Sequence, residues 1–157
     1  MKKLVTLLPS VDVDLGRWLM QLYQIRYEER PHAPIFHIWA LKYHGLGPRD
    51  YPALIWGDNK VVAVERIVQR FDADAPIQLL PSEEGEPELY NHVFEFQNYA
   101  RYTMGDGVVN WAYYNFMKDK RLVWESFTSG VPWYEKLACV LGYRYIRDGM
   151  IAGLGLS

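Results

Sequence analysis

Residues 51–64 constrain the fold most, because they place a proline, two apolar runs and a turn in one short segment. Pro52 has no backbone N–H and is expelled from strand centres, so it must open a strand or lie at a sheet edge. The apolar runs 53–56 and 61–64 flank residues 57–60, a Gly-Asp-Asn-Lys turn whose residues tolerate positive φ. This pattern predicts an antiparallel hairpin that follows Pro52.

The chain before this hairpin predicts a strand, a helix and a second strand. Residues 4–8 form an apolar run that ends at a Pro-Ser turn, which is typical of a buried strand. Ser10 or Asp12 would then cap a helix. The apolar residues of this helix recur at helical spacing: Leu15, Trp18, Leu19 and Leu22. Residues 25–30 alternate between apolar and polar, which predicts a strand stopped by Pro31.

Helical patterns continue through the rest of the chain. A weak one covers residues 35–43, and another runs from the hairpin to about Phe71. Residues 77–87 are acidic and contain Pro and Gly, so they form a predicted linker between domains 1–76 and 88–157. The second domain should contain helices over residues 88–104 and 108–121 and a third that begins near Pro132. The apolar face expected for the third comprises Trp133, Leu137, Val140, Leu141 and Tyr145.

Composition and charge exclude several classes of function. Among 157 residues the formal net charge is −2, with no Lys/Arg run to follow a phosphate backbone, so we expect no nucleic-acid partner. The single cysteine, Cys139, cannot form an internal disulfide, which favours a reducing, cytoplasmic location. No apolar run is long enough to span a membrane. The four histidines show no spacing typical of a metal site, so no metal is expected.

The predicted order of elements resembles that of the glutathione S-transferase superfamily. The best local matches are residues 7–10, which open the first helix, residues 51–54, which match the cis-proline strand, and residues 61–72, which match the following strand and helix. The resemblance covers essentially the whole chain. It implies a thioredoxin-like α/β domain followed by an all-α domain, and a cis Tyr51–Pro52 peptide bond.

The resemblance also implies a ligand, glutathione, and residues that bind it. Ser10 matches the serine that helps the thiol of glutathione to ionise, since the thiolate is the nucleophile. Tyr51 and Pro52 match the strand whose backbone pairs with the peptide, a contact that depends little on the side chain. Val64 and Glu65 match the start of the helix that holds the γ-glutamyl group, where backbone N–H groups offer an anion site. Ser10 is equally well explained as a plain helix N-cap.

Two departures from this family lead to an alternative. Ala63 and Val64 stand where the family has an acidic residue and a serine, and neither side chain can form a hydrogen bond. The family continues into a further helix that Ser157 would cap, so we expect a C-terminally short helical domain, either because the chain is a fragment or because another subunit covers the exposed face. We therefore expect an exposed apolar face and association, most simply as a homodimer. The alternative function is a non-catalytic binding or assembly module that has lost glutathione affinity.

A transferase would also need a site for a small hydrophobic electrophile. The aromatic residues of the second domain are candidates for lining it: Trp111, Tyr113, Tyr114, Phe116 and Trp124. Aromatic residues at helical spacing more often pack a helical core, and that interpretation remains open here. The sequence does not identify the electrophile.

Overall fold

A four-stranded mixed sheet forms the first part of the chain in the computed structural model, which describes residues 1–153. The strands are β1 (Lys2–Leu7), β2 (Tyr27–His32), β3 (Ala53–Trp56) and β4 (Asn59–Val62), in the spatial order β2-β1-β3-β4. β1 pairs with β2 in parallel, whereas β3 is antiparallel to both β1 and β4. The fold is therefore mixed α/β, with a helical segment after the sheet.

The strand boundaries correct two sequence predictions. β2 extends to His32 and includes Pro31, which was expected to stop it, because β2 is an edge strand where a missing N–H costs no ladder bond. β4 ends at Val62 instead of Val64. The hairpin turn is correspondingly tighter than predicted: Asn59 pairs with Trp56 in the ladder, so only Gly57 and Asp58 connect the strands.

Three α-helices pack on the sheet or its ends: α1 (Val11–Leu22), α2 (Phe36–Tyr43) and α3 (Ala63–Phe71). In α1 the buried face differs from the predicted one. Leu19 is buried as expected, but Leu15 and Trp18 are exposed, and Gly16 takes part in the buried face instead. Gly16 lies against Pro52, since a Cβ built on Gly16 would be 2.9 Å from the Pro52 Cγ. The absence of a side chain lets α1 approach the start of β3.

The helical segment contains α4 (Pro87–Asn98), α5 (Asp106–Phe116), α6 (Lys120–Phe127) and α7 (Trp133–Gly153). α4 was expected to continue to Met104, but residues Tyr99–Gly105 form a π-helical segment between α4 and α5. The helix predicted over residues 108–121 is interrupted after Phe116, and Asp119 caps α6 through its side chain. The predicted cap Ser157 lies outside the described residues.

The predicted apolar face of α7 is exposed. Trp133, Leu137, Val140, Leu141 and Tyr145 are each at least half exposed. The buried side of α7 instead carries Glu135 and Cys139. Helical periodicity identified the face correctly as apolar, but it could not show whether another element covers it. In residues 1–153 no helix is both long and apolar enough to cross a membrane.

Candidate functional site

The predicted site residues lie together at one end of the sheet, because three connections meet there. Ser10 follows the end of β1, and Val5 of that strand pairs with Ala53 at the start of β3, which places Pro52 beside Thr6. Ala63 follows β4, and its N–H donates to the carbonyl of Pro52 at 3.1 Å. We call this region the site edge; it comprises residues 9–12, 51–52 and 63–65. The antiparallel register is what brings the three segments together.

Ser10 is the N-cap of α1. Its backbone is extended, and its hydroxyl oxygen accepts a hydrogen bond from the Val13 N–H at 3.4 Å. A hydroxyl that accepts one hydrogen bond can still donate its own proton. The side chain is only partly buried. Ser10 is thus a cap, as expected from residue preference, and its O–H remains available to a ligand at the site edge.

Tyr51 precedes a cis peptide bond to Pro52, as the resemblance implied. Within residues 1–153, neither the N–H nor the C=O of Tyr51 has a hydrogen-bond partner. Backbone groups next to a strand pair readily with an added extended chain when they lack a partner. Pro52 itself is buried beneath α1. Tyr51 therefore offers a backbone donor and acceptor to a peptide-like ligand.

At the start of α3, two backbone amides have no partner among the described residues. Ala63 has a positive φ of 65° and uses its N–H on Pro52. No side chain caps the helix, so the N–H groups of Val64 and Glu65 stay unpaired within the described chain. The Val64 side chain is buried in the core and cannot contact a ligand. Glu65 points towards the helical segment instead.

Arg101, from the π-helical segment, joins two carboxylates of the site edge. Its guanidinium pairs with Asp12 at 2.8 Å and with Glu65. All three side chains are partly buried, with between 19% and 32% of each exposed. Arg101 therefore ties the helical segment to the first turns of α1 and α3. Sequence reasoning missed it, because no pattern in the sequence shows which distant carboxylates an arginine will meet.

Tyr113, from α5, reaches the same edge. Its hydroxyl donates to the carbonyl oxygen of Pro9 at 2.6 Å. Burial, with a smaller contribution from Tyr51, raises the pKa of Tyr113 to about 12. Burial, together with the negative charge of Asp12, also raises the pKa of Tyr51. Both phenols are therefore neutral near pH 7.

The remaining aromatic candidates separate into two groups. Trp111 and Tyr114 are exposed, whereas Phe116 packs against a core cluster of the helical segment. Trp124 packs against a second cluster, which Ala33, just after β2, shares with the helical segment. Of the predicted set, Tyr113 contacts the site edge through the Pro9 carbonyl. The sequence pattern around Tyr113 did not distinguish it from the neighbouring aromatic residues of α5.

His37 packs behind the site edge. Its ring meets that of Tyr51 edge to face, with centroids 5.6 Å apart. Burial lowers the pKa of His37, and its Nδ1 atom has no hydrogen-bond partner in the described residues. His37 is therefore a neutral ring that packs against the ring of Tyr51. No three His, Cys, Asp or Glu side chains within residues 1–153 are grouped to hold a metal ion.

The sequence matches no protein-family model, and no curated protein matches it at a significant level.

Proposed function

We propose that this chain is a glutathione S-transferase-like protein that binds glutathione at the site edge and conjugates it with a small hydrophobic electrophile. One observation carries the proposal: the Ser10 hydroxyl and the unpaired backbone of Tyr51 lie at the same end of the sheet. The backbone of Tyr51 would pair with the cysteinyl residue of the peptide. Ser10 would then donate a hydrogen bond to its sulfur.

The fold supports this proposal. The strand order, the parallel β1–β2 pair and the antiparallel hairpin are compatible with a thioredoxin-like domain followed by helices. The unpaired N–H groups of Val64 and Glu65 would donate hydrogen bonds to a carboxylate of the ligand. Because fold alone does not determine activity, the functional argument depends on the site residues.

The proposed chemistry requires a thiolate near the start of α1. The Ser10 O–H and the N-terminus of the α1 dipole both favour negative charge on sulfur. Asp12 would oppose this, but its carboxylate is paired with Arg101. The thiol proton passes to solvent, the sulfur attacks the electrophilic carbon, and a C–S bond replaces the bond to the leaving group. Tyr113, a neutral phenol, would lie beside the reacting sulfur.

A second candidate function is a non-catalytic binding or assembly module. It is favoured by the contacts through which the helical segment already occupies polar groups of the site edge. Arg101 already occupies Asp12 and Glu65, and Tyr113 already binds the Pro9 carbonyl. The exposed apolar face of α7 would then carry the function.

In either case we propose a homodimer, because this face comprises several large side chains that are at least half exposed. Light scattering of the purified protein tests this part directly.

Titration of the bound thiol tests the role of Ser10. The absorbance of the thiolate is followed against pH for glutathione bound to the wild-type protein and to Ser10→Ala. We expect Ser10→Ala to raise the thiol pKa, because the anion loses a donor. Ser82→Ala is the matched control, since the Ser82 hydroxyl also accepts a backbone N–H, from Gly85, but lies in the linker. An identical thiol pKa in all three proteins contradicts the assigned role.

A further inference from the structure

The hydroxyl of Tyr113 in α5 holds the backbone immediately before Ser10. It donates to the carbonyl oxygen of Pro9 at 2.6 Å, and the two residues are 104 positions apart in the sequence. The ring of Tyr113 meets that of Phe116 edge to face, with centroids 6.0 Å apart, and both rings pack against a core cluster of the helical segment. The phenol is therefore anchored in the helical segment, while its hydroxyl reaches the site edge.

This hydrogen bond restrains the one backbone rotation that Pro9 retains. The pyrrolidine ring restricts φ of Pro9, so ψ alone sets the direction of its carbonyl group. The Pro9 carbonyl and the Ser10 N–H belong to one planar peptide unit. By holding the carbonyl oxygen, Tyr113 therefore fixes the peptide plane from which Ser10 continues.

The other contacts that hold Ser10 come from α1. Its carbonyl oxygen accepts a hydrogen bond from the Asp14 N–H at 3.1 Å, and its hydroxyl oxygen accepts one from the Val13 N–H at 3.4 Å. The second bond is long, so it restrains the side chain only weakly. The position of the Ser10 hydroxyl consequently depends on the peptide plane before it as well as on the cap.

We propose that Tyr113 is a positioning residue that aligns the Ser10 hydroxyl with the sulfur of the bound thiol by holding the Pro9 carbonyl. This inference rests on the proposed function and deepens it, because it makes ionisation of the ligand depend on how the helical segment packs. A phenol has a single O–H proton, and that of Tyr113 is donated to Pro9. Tyr113 thus acts on the sulfur through Ser10, without a hydrogen bond of its own to the ligand.

A double-mutant cycle on Ser10 and Tyr113 tests this inference. The absorbance of the thiolate is followed against pH for glutathione bound to the wild-type full chain, Ser10→Ala, Tyr113→Phe and the variant with both changes. Tyr113→Phe removes the hydroxyl and keeps the ring that packs on Phe116. Because the pKa of Tyr113 is raised to about 12, its proton stays in place while the thiol titrates.

Tyr114→Phe is the matched control, because it removes the same hydroxyl group from the next residue of α5. The ring of Tyr114 is half exposed and lies beside Lys118, whose Nζ is 4.0 Å from the ring centroid. Circular dichroism and urea denaturation establish that each variant is folded.

At a fixed pH, Ser10→Ala should lower the ratio of thiolate to thiol in bound glutathione about tenfold, and Tyr113→Phe about threefold. The variant with both changes should match Ser10→Ala, because Tyr113 then has no hydroxyl to position, and Tyr114→Phe should match the wild type. An unchanged ratio in Tyr113→Phe, or losses that multiply to about thirtyfold in the double variant, would overturn the role of Tyr113 and leave the proposed function standing. Absence of glutathione binding to the folded wild-type protein would overturn both.

Discussion

The carboxylate of Glu135 accepts a hydrogen bond from the backbone N–H of Ala33 at 2.7 Å. Glu135 lies in the first turn of α7 and is 1% exposed, and its second oxygen contacts the His32 Nδ1 at 2.8 Å. One buried acid thus joins the helical segment to the end of β2. This junction is a further contact, besides those of Arg101 and Tyr113, that fixes the helical segment against the first part of the chain.

Replacing Glu135 should destabilise the whole chain. Glu135→Leu removes the acceptor of the Ala33 N–H and leaves that donor buried and unpaired, so the free energy of unfolding should fall by about 3 kcal/mol. Glu135→Gln keeps one acceptor and should cost less. Glu125→Leu is the control, because the Glu125 pair with Arg121 is largely exposed and contributes little to the free energy of unfolding. Urea denaturation measures all three, and equal losses for Glu135→Leu and Glu125→Leu would contradict this account.

Gly16→Ala tests the close approach of α1 to β3. The new methyl group would lie 2.9 Å from the Pro52 Cγ, so α1 or Pro52 must move. We expect a loss of about 1–3 kcal/mol in the free energy of unfolding, as for overpacked cores. The new methyl group of Gly149→Ala in α7 meets no atom of residues 1–153 within 4 Å, so this variant should stabilise the chain by about 0.5–1 kcal/mol. An unchanged free energy of unfolding for Gly16→Ala would contradict the close approach of α1 to the start of β3.

Asp72 should control the order of the linker. Its buried carboxylate accepts hydrogen bonds from the Tyr23 hydroxyl at 2.8 Å and from the N–H groups of Leu79 and Leu80. Asp72→Ala removes all three acceptor contacts, so limited proteolysis within residues 75–86 should become faster. Asp74→Ala, at an exposed site two residues away, is the control. Cleavage at the same rate in both variants would exclude an anchoring role for Asp72.

The stability of the protein should depend on pH through His37. Burial lowers the pKa of His37 in the folded chain, so the unfolded chain binds a proton at a higher pH than the folded one. The contribution of neutral His37 to the free energy of unfolding is therefore fully present above the pKa of the unfolded chain, about 6.5, and is lost as the pH falls below that value. The melting temperature should decrease between about pH 7.5 and about pH 5. His37→Phe should make this decrease smaller, whereas substitution of exposed His92 by Asn should leave it unchanged.

The sequence predicted the individual strands, helices and turns of this fold better than it predicted which elements lie beside one another. Pro52 and the Gly57–Asp58 turn specify the hairpin through backbone chemistry that acts over a few residues, and Ser10 caps α1 for the same reason. Pro31 misled the assignment of β2, because only the sheet order shows that this strand is at an edge. Local sequence patterns do not show the order of strands.

The candidate site likewise contains residues that the sequence predicted and residues that it did not. Ser10, Tyr51 and Glu65 were predicted from their positions in the order of elements, and the structure brings them to one edge. Arg101 and Tyr113 were not assigned to the edge, because they lie 89 and 104 residues further along the chain than the edge residues that they contact, Asp12 and Pro9. Their contacts depend on how the helical segment packs, which periodicity alone does not determine.

Calorimetric titration of the wild-type protein with reduced glutathione tests the central claim most directly, after light scattering has shown that the sample is monodisperse. The account predicts saturable binding with a Kd of about 1 mM or tighter, an affinity that corresponds to about 4 kcal/mol. S-methylglutathione should bind more weakly, because its sulfur cannot ionise and accept the Ser10 hydrogen bond as a thiolate. No heat of binding from a folded, monodisperse sample would contradict the account and favour the non-catalytic module.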